Sequence, residues 1–363
     1  MTNIYELPLG LLYAMYSLTL AVSKRTGYRS FHNHDDHKEF YEEAVRHLPA
    51  ALASSTPFDV LYVSLLSFLE VWNGNMSASS CYMALAARMA QTIGIDKTVD
   101  GGISWVSRTG KVLGSDIYTG TGLYRSLYLM LYIQDFYISH AAKIPCVLHK
   151  EIDSSFIQPG CYPDEIISYR LFVLPLLNIS RKLKVEREKS GANIKDEVIH
   201  ALVSDAVYWY NHLSRVMPES LNPDSLITKE WITYMKMLYY GLQLELNAPA
   251  FLRAFQTSNI SDPVIKKQFQ YQKELLEIVQ NNLPNFSALL DIPFHFLHSV
   301  FLSAIYESLY SKINGLPIDI SNQIQIFESV QFCFPPVAKQ TEKLRQLSYN
   351  ADLGVLYLQN ICK

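Results

Sequence analysis

Apolar residues along this chain recur with the spacing of a helix, and sustained period-2 alternation is scarce. Phe58, Leu61, Leu65, Phe68 and Trp72 fall at i, i+3, i+7, i+10 and i+14 and form one apolar face. Val60, Val63, Leu66, Leu69 and Val71 fill much of the other side, which predicts a helix buried nearly all round. Asn73-Gly74-Asn75 stops it. Ser77 or Ser79 is the expected start of the next helix, whose face runs through Tyr82, Leu85, Met89 and Ile93 to a stop at Gly94. So short a break predicts antiparallel packing of the pair. The same reading gives helices near 36–52, 122–141, 163–188, 194–215, 228–246, 262–281, 293–312, 319–331 and 336–361. Residues 97–121, rich in Gly, Ser and Thr, read as a loop. Charges crowded between Arg181 and Glu197, around Ser190-Gly191, mark the expected solvated linker. The expected fold is all-α, an array of packed antiparallel helices in one or two closely packed subdomains, divided as 1–190 and 191–363.

Composition supports a packed core: 49% of the 363 residues are hydrophobic and 18% charged, which excludes a disordered chain. The net charge of −3 lacks the basic excess of a domain that grips nucleic acid through phosphates. Cys81, Cys146, Cys161, Cys333 and Cys362 are scattered and never form a C-x-x-C pair, so neither a disulfide framework nor a thiolate zinc site is expected. A reducing compartment, cytosol or nucleus, fits. Leu7 to Ser23 is uncharged, but it is short for a span, contains Pro8 and Gly10, and follows Glu6. It reads as a buried helix of a soluble protein, with no membrane role.

Candidate chemistry is sparse. His32-Asn33-His34-Asp35-Asp36-His37 is the densest group of metal-ligand types, and His34 with Asp35 fits several transition metals. Asp35 or Asp36 as the cap of the next helix explains the same acids without an ion, so no metal is assigned. Asp35-Asp36-His37-Lys38-Glu39 also matches the DDxx(D/E) pattern with which all-α terpene synthases hold magnesium-bound diphosphate. The second Asn/Asp-Ser-Glu motif of those enzymes is not found. His295 and His298 sit three apart on an apolar helix without a visible third ligand, and no P-loop, G-x-G-x-x-G, H-E-x-x-H or G-x-S-x-G is present. The chain is read as no enzyme, with cofactor sites unknown. The 24 tyrosines, often beside Leu or Met, suit either a helical core or the wall of a small-ligand cavity.

Several segments, taken in order, resemble the middle homology region of fungal zinc-cluster transcription factors. Pro8-Leu9-Gly10-Leu11-Leu12-Tyr13-Ala14 resembles its first hydrophobic helix. Ala86-Ala87-Arg88-Met89-Ala90-Gln91-Thr92-Ile93-Gly94-Ile95 is similar to its A-x-R-M-A-x-x-L-G-L run, with isoleucine for both leucines. Arg125 to Ser139 resembles its R-x-x-W-W…D-R-x-x-S helix, keeping Asp135 and Ser139 but with Tyr128 and its neighbours in place of tryptophan and Phe136 in place of the basic residue. Of the following G-R-P only Pro145 remains, and Ile152-Asp153 matches the I-D after it. Leu244-Glu245-Leu246-Asn247-Ala248-Pro249 is similar to the L-H-R-P helix end. The resemblance spans about residues 7–252.

Physical chemistry gives these positions structural roles. Ala86 and Ala90 lie four apart and permit close approach of another helix. Gly94 permits a left-handed C-cap. Arg88 and Asp135 lie in apolar helices and each needs a partner if buried, either each other or a helix end. The motif residues Arg88, Met89, Ala90, Gly94, Asp135, Ser139, Pro145 and Pro249 are therefore read as structural. The family's six-cysteine zinc cluster is not in this sequence, so the chain itself is expected to bind neither zinc nor DNA.

The resemblance implies a regulatory domain in RNA polymerase II transcription, in the nucleus with shuttling to the cytoplasm open. Its partners would be a small-molecule effector, proteins of the transcription machinery or a related factor, and a second copy as a homodimer. The alternative is a clusterless co-regulator or helical scaffold that binds a full-length factor, and a magnesium-dependent diphosphate enzyme is a remote third.

Overall fold

The computed structural model describes residues 7–25, 36–95, 121–149, 152, 164–190, 194–216, 226–257, 262–286, 294–331 and 337–362. Among them are fifteen helices and no strand, so the chain is all-α as expected. In order they are α1 (Leu9–Arg25), α2 (Asp36–Arg46), α3 (Leu48–Ser54), α4 (Pro57–Trp72), α5 (Met76–Thr92), α6 (Thr121–Ala142), α7 (Asp164–Ser190) and α8 (Asp196–Val216). Then follow α9 (Leu226–Leu246), α10 (Ala248–Gln256), α11 (Pro263–Phe286), α12 (Phe294–Asn314), α13 (Ser321–Gln331), α14 (Val337–Tyr349) and α15 (Asp352–Cys362). They form two compact units, Met1–Pro163 and Asp164–Lys363. The division therefore falls before α7 and not at residue 190. Within α7 the charged run after Arg181 is partly enclosed, since Arg181 is buried and Arg187 turns its guanidinium inward, while residues 191–193 at the centre of the expected linker lie outside the described residues. Long aliphatic stems let arginines reach interior acceptors from a charged stretch.

In the first unit α4 packs against α1, α2, α3, α5 and α6. Its start is built locally. Thr56 Oγ1 accepts from the Asp59 amide at 3.3 Å, Asp59 Oδ2 accepts from the Thr56 amide at 2.8 Å, and Pro57 takes the first turn. The helix is enclosed nearly all round, as the pattern predicts. The regular stripe Phe58, Leu61, Leu65 and Phe68 is nevertheless its half-buried side, and Val60, Val63, Leu66 and Leu69 form the buried one. Asn75, not Ser77 or Ser79, caps α5 by accepting from the Ala78 amide at 3.2 Å. Ser79 is buried where Ser67 Oγ donates to its carbonyl at 2.8 Å. The buried side of α5 is Met83, Ala86, Ala87 and Ala90, and Gly94 ends it at φ +72°. α1 is buried through Leu11, Ala14, Ser17 and Ala21 but leaves Leu9, Met15 and Tyr16 exposed, so it is one-sided. No described helix is long and apolar enough to cross a membrane.

In the second unit α9 touches α7, α8, α10, α11 and α12, while α12 touches α9, α11, α13, α14 and α15. From Tyr239 to Leu246 every residue of α9 is buried. Gly241 sets the approach of α9 to α12, because a Cβ built there would stand 2.6 Å from that of Ser299.

Two expected helices, 36–52 and 336–361, are interrupted, and the one expected to stop at 246 does stop there, each for a chemical reason. Pro49 and Pro249 sit at the second position of α3 and α10, where a missing amide stops the preceding ladder at His47 and Asn247. Between α14 and α15, the Asn350 side chain accepts from the Asp352 amide at 3.0 Å and competes with the helix.

Candidate functional site

The interior of the second unit is polar where α9 breaks into α10. In a continuous helix the Glu245 carbonyl would accept from residue 249, but Pro249 has no N–H. Arg187 of α7 supplies the donor: its Nη2 lies 3.3 Å from that carbonyl, and its Nη1 pairs with the Glu245 carboxylate. The two side chains are only 11% and 9% exposed, so this pair is largely removed from water. His298 of α12 places Nε2 3.8 Å from the other carboxylate oxygen. The preceding carbonyl, Leu244, accepts from Tyr306 Oη at 2.9 Å and from Gln268 Nε2 at 3.2 Å, and that same amide lies 3.1 Å from Tyr306 Oη. Side chains from α7, α11 and α12 thus fill the acceptors that the elbow exposes.

Burial pushes the Tyr306 hydroxyl well above the usual phenol range and the Cys362 thiol up to about 11. A neutral thiol and a neutral phenol are poor nucleophiles at pH 7.

Upstream on α9, Tyr239 and Tyr240 meet Tyr210 of α8 and Tyr271 of α11. Tyr210 stacks on Tyr239 with centroids 4.1 Å apart, and Tyr240 stands 5.9 Å from Tyr210 and 6.0 Å from Tyr271. The hydroxyls are ordered: Tyr210 and Tyr240 share a hydrogen at 3.3 Å, and Tyr240 donates to Glu274 at 3.2 Å. Burial, then these neighbours, hold the Tyr239 and Tyr240 phenols above their ordinary range. Lys267 places its ammonium 5.5 Å from the Tyr271 centroid. Of the two readings open for tyrosine, these residues combine a core position with rings that reach the rim.

In the first unit, Asp135 of α6 is fully buried. Its carboxylate accepts from the Val147 and Leu148 amides, both at 3.0 Å, and from Ser139 Oγ at 3.2 Å. Ser139 Oγ also lies 3.3 Å from the Pro145 carbonyl. The chain that leaves α6 is thereby tied back to the helix.

Asp135, Ser139 and Pro145 are therefore brought together, and Pro249 lies at the elbow. Met89 and Ala90 are buried on α5, and Gly94 is its left-handed cap. Arg88 departs from expectation. It is exposed and bonds Gln91 on its own helix at 3.1 Å, because its position points away from the α5 side that packs inward. Of the acid-rich segment, residues 32–35 lie outside the described residues, Asp36 opens α2 and Glu39 is exposed. The Gly-rich segment 97–120, Asp153 and the side chains of Arg125 and His295 also lie outside them. Arg187, Gln268, Tyr306 and Glu274 belong to no recognisable sequence motif. A glutamate within the apolar run Leu242-Gln243-Leu244-Glu245-Leu246 was the one available signal, since such a buried charge needs a partner.

No family model, no curated protein and no solved structure matches this chain. The class that the structure defines is an all-α protein of two helical units.

Proposed function

We propose that this chain is the regulatory part of a fungal transcription factor, with no catalytic step of its own. DNA reading would fall to a zinc cluster held elsewhere. The supporting observation is the Asp135–Ser139–Pro145 anchor. Three residues singled out by the resemblance serve one hydrogen-bonded device in a helical scaffold, which is the structural use such a motif implies.

Tethering tests the reading. The chain is fused to a heterologous DNA-binding domain upstream of a reporter, and a fluorescent fusion is followed in fungal cells. Nuclear accumulation with a change in reporter output is expected. A fusion excluded from the nucleus that leaves the tethered reporter unchanged overturns it.

The co-regulator reading is favoured by the exposed apolar side of α1, Leu9, Met15 and Tyr16, which suits contact with another protein. It separates from the first by requiring association with a zinc-cluster factor before the reporter responds.

A further inference from the structure

We propose that the tyrosine group of the second unit, with Glu274, binds a small alkylammonium cation, and that Lys267 competes for the same place. α11 carries Lys267, Tyr271 and Glu274 at i, i+4 and i+7, which puts a cation, a ring and a carboxylate on one stripe. The stripe faces Tyr240 of α9, with Tyr210 of α8 next to it.

Two observations point to a cation. Glu274 is a half-buried carboxylate among aromatic rings, and among the described residues no Lys, Arg or His pairs with it within 4.0 Å. Among the described residues its bond from the protein is the Tyr240 hydroxyl at 3.2 Å, which orients the carboxylate and brings no opposite charge to it. Secondly, Lys267 already holds an ammonium 5.5 Å from the Tyr271 centroid, so that ring face accepts positive charge. Phenylalanine would serve packing as well as tyrosine does. The hydroxyl chain from Tyr210 through Tyr240 ends on the acid and fixes it beside the ring faces.

The rings decide which cation is preferred. A primary ammonium on an exposed lysine stem is strongly hydrated and gives up little water to a ring. An alkylated ammonium is less hydrated, spreads its charge over methyl groups and suits the negative faces of Tyr210 and Tyr271, whose half-buried rings reach the rim. The ligand class is thus a quaternary or methylated amine.

Calorimetric titration of the full chain with tetramethylammonium chloride, at ionic strength matched with sodium chloride, tests the site. Saturable one-to-one binding is expected, weakened at least tenfold by Glu274→Gln, lost in Tyr271→Leu and tightened severalfold by Lys267→Met. Melting curves of each variant establish that it is folded. The proposal is overturned if neither the wild type nor Lys267→Met shows saturable heat, or if folded Glu274→Gln and Tyr271→Leu bind as the wild type does. Binding is read on the purified chain, so its failure leaves the transcriptional reading standing, and the reverse also holds.

Discussion

Arg187 donates to the backbone carbonyl of Glu245 while holding the carboxylate of the same residue, so one guanidinium serves both the main chain and the side chain of Glu245 just before Pro249. Neither partner is dispensable alone. A buried pair contributes little over an apolar pair of the same shape, yet losing one member strands the other. Arg187→Met and Glu245→Gln are each expected to lose about 3–5 kcal/mol in urea denaturation, because each removes one charge of a pair that lies largely out of water. The double variant should lose less than the sum of the two. Strict additivity would show that the pair does not act as a unit.

Asp135 and Arg88 invite a direct comparison. Asp135→Asn replaces a charged acceptor of two amides and a hydroxyl with a group whose NH2 meets those donors head-on. A loss of about 2–3 kcal/mol is expected. Arg88→Met removes an exposed charge that, among the described residues, bonds Gln91 on its own helix, and should change stability by less than about 0.5 kcal/mol. Thermal melts of the two variants check both figures. An equal fall in both would show that Arg88 carries a structural load which its exposure does not reveal.

Two glycines are needed for different reasons, and alanine separates them. At Gly94 an added Cβ meets nothing within 4 Å, so Gly94→Ala suffers only from φ +72° and should lose about 1–2 kcal/mol. At Gly241 the new Cβ would lie 2.6 Å from that of Ser299 and closer still to its hydroxyl. Overpacking of this kind costs about 1–3 kcal/mol and moves backbone. Near-ultraviolet circular dichroism should therefore change in Gly241→Ala and stay constant in Gly94→Ala.

Alkaline pH should weaken the fold partly through Cys362. Its thiol titrates at about 11 when folded against 9.0 for an ordinary thiol, so the folded state holds the proton more tightly. That contribution is fully present below pH 9 and is lost as pH rises through 11. The difference corresponds to roughly 2–3 kcal/mol. Cys362→Ala should remove this part of the slope, while the decline above pH 10 from the buried tyrosines stays common to both proteins. Urea midpoints between pH 8 and 11 make the comparison, and parallel curves would assign the decline to tyrosine alone.

The helical content, the near-complete burial of α4 and the left-handed cap at Gly94 were legible in the sequence, because each rests on spacing or on one residue's own conformational freedom. The breaks at Pro49 and Pro249 were also open to a local reading, although the periodic pattern ran across the first of them. Motif reading drew attention to Asp135 and Ser139 without showing what they bind. Their partners are amides and a carbonyl of the following loop, and backbone groups leave no trace in side-chain patterns. Arg88, expected to need a partner if buried, lies on the other side of that condition, for a related reason. Charge within an apolar helix signals a need for a partner only when the helix faces inward at that position, and α5 faces inward elsewhere. The elbow and the tyrosine group lay further from reach. Arg187 and Glu245 are separated by 58 residues and Leu244 and Tyr306 by 62, and only the packing of α7, α9, α11 and α12 brings them together. Local sequence therefore determined which segments are helical and where they end. Tertiary structure decided which polar groups lose water together and must satisfy one another, because that depends on burial by residues distant along the chain.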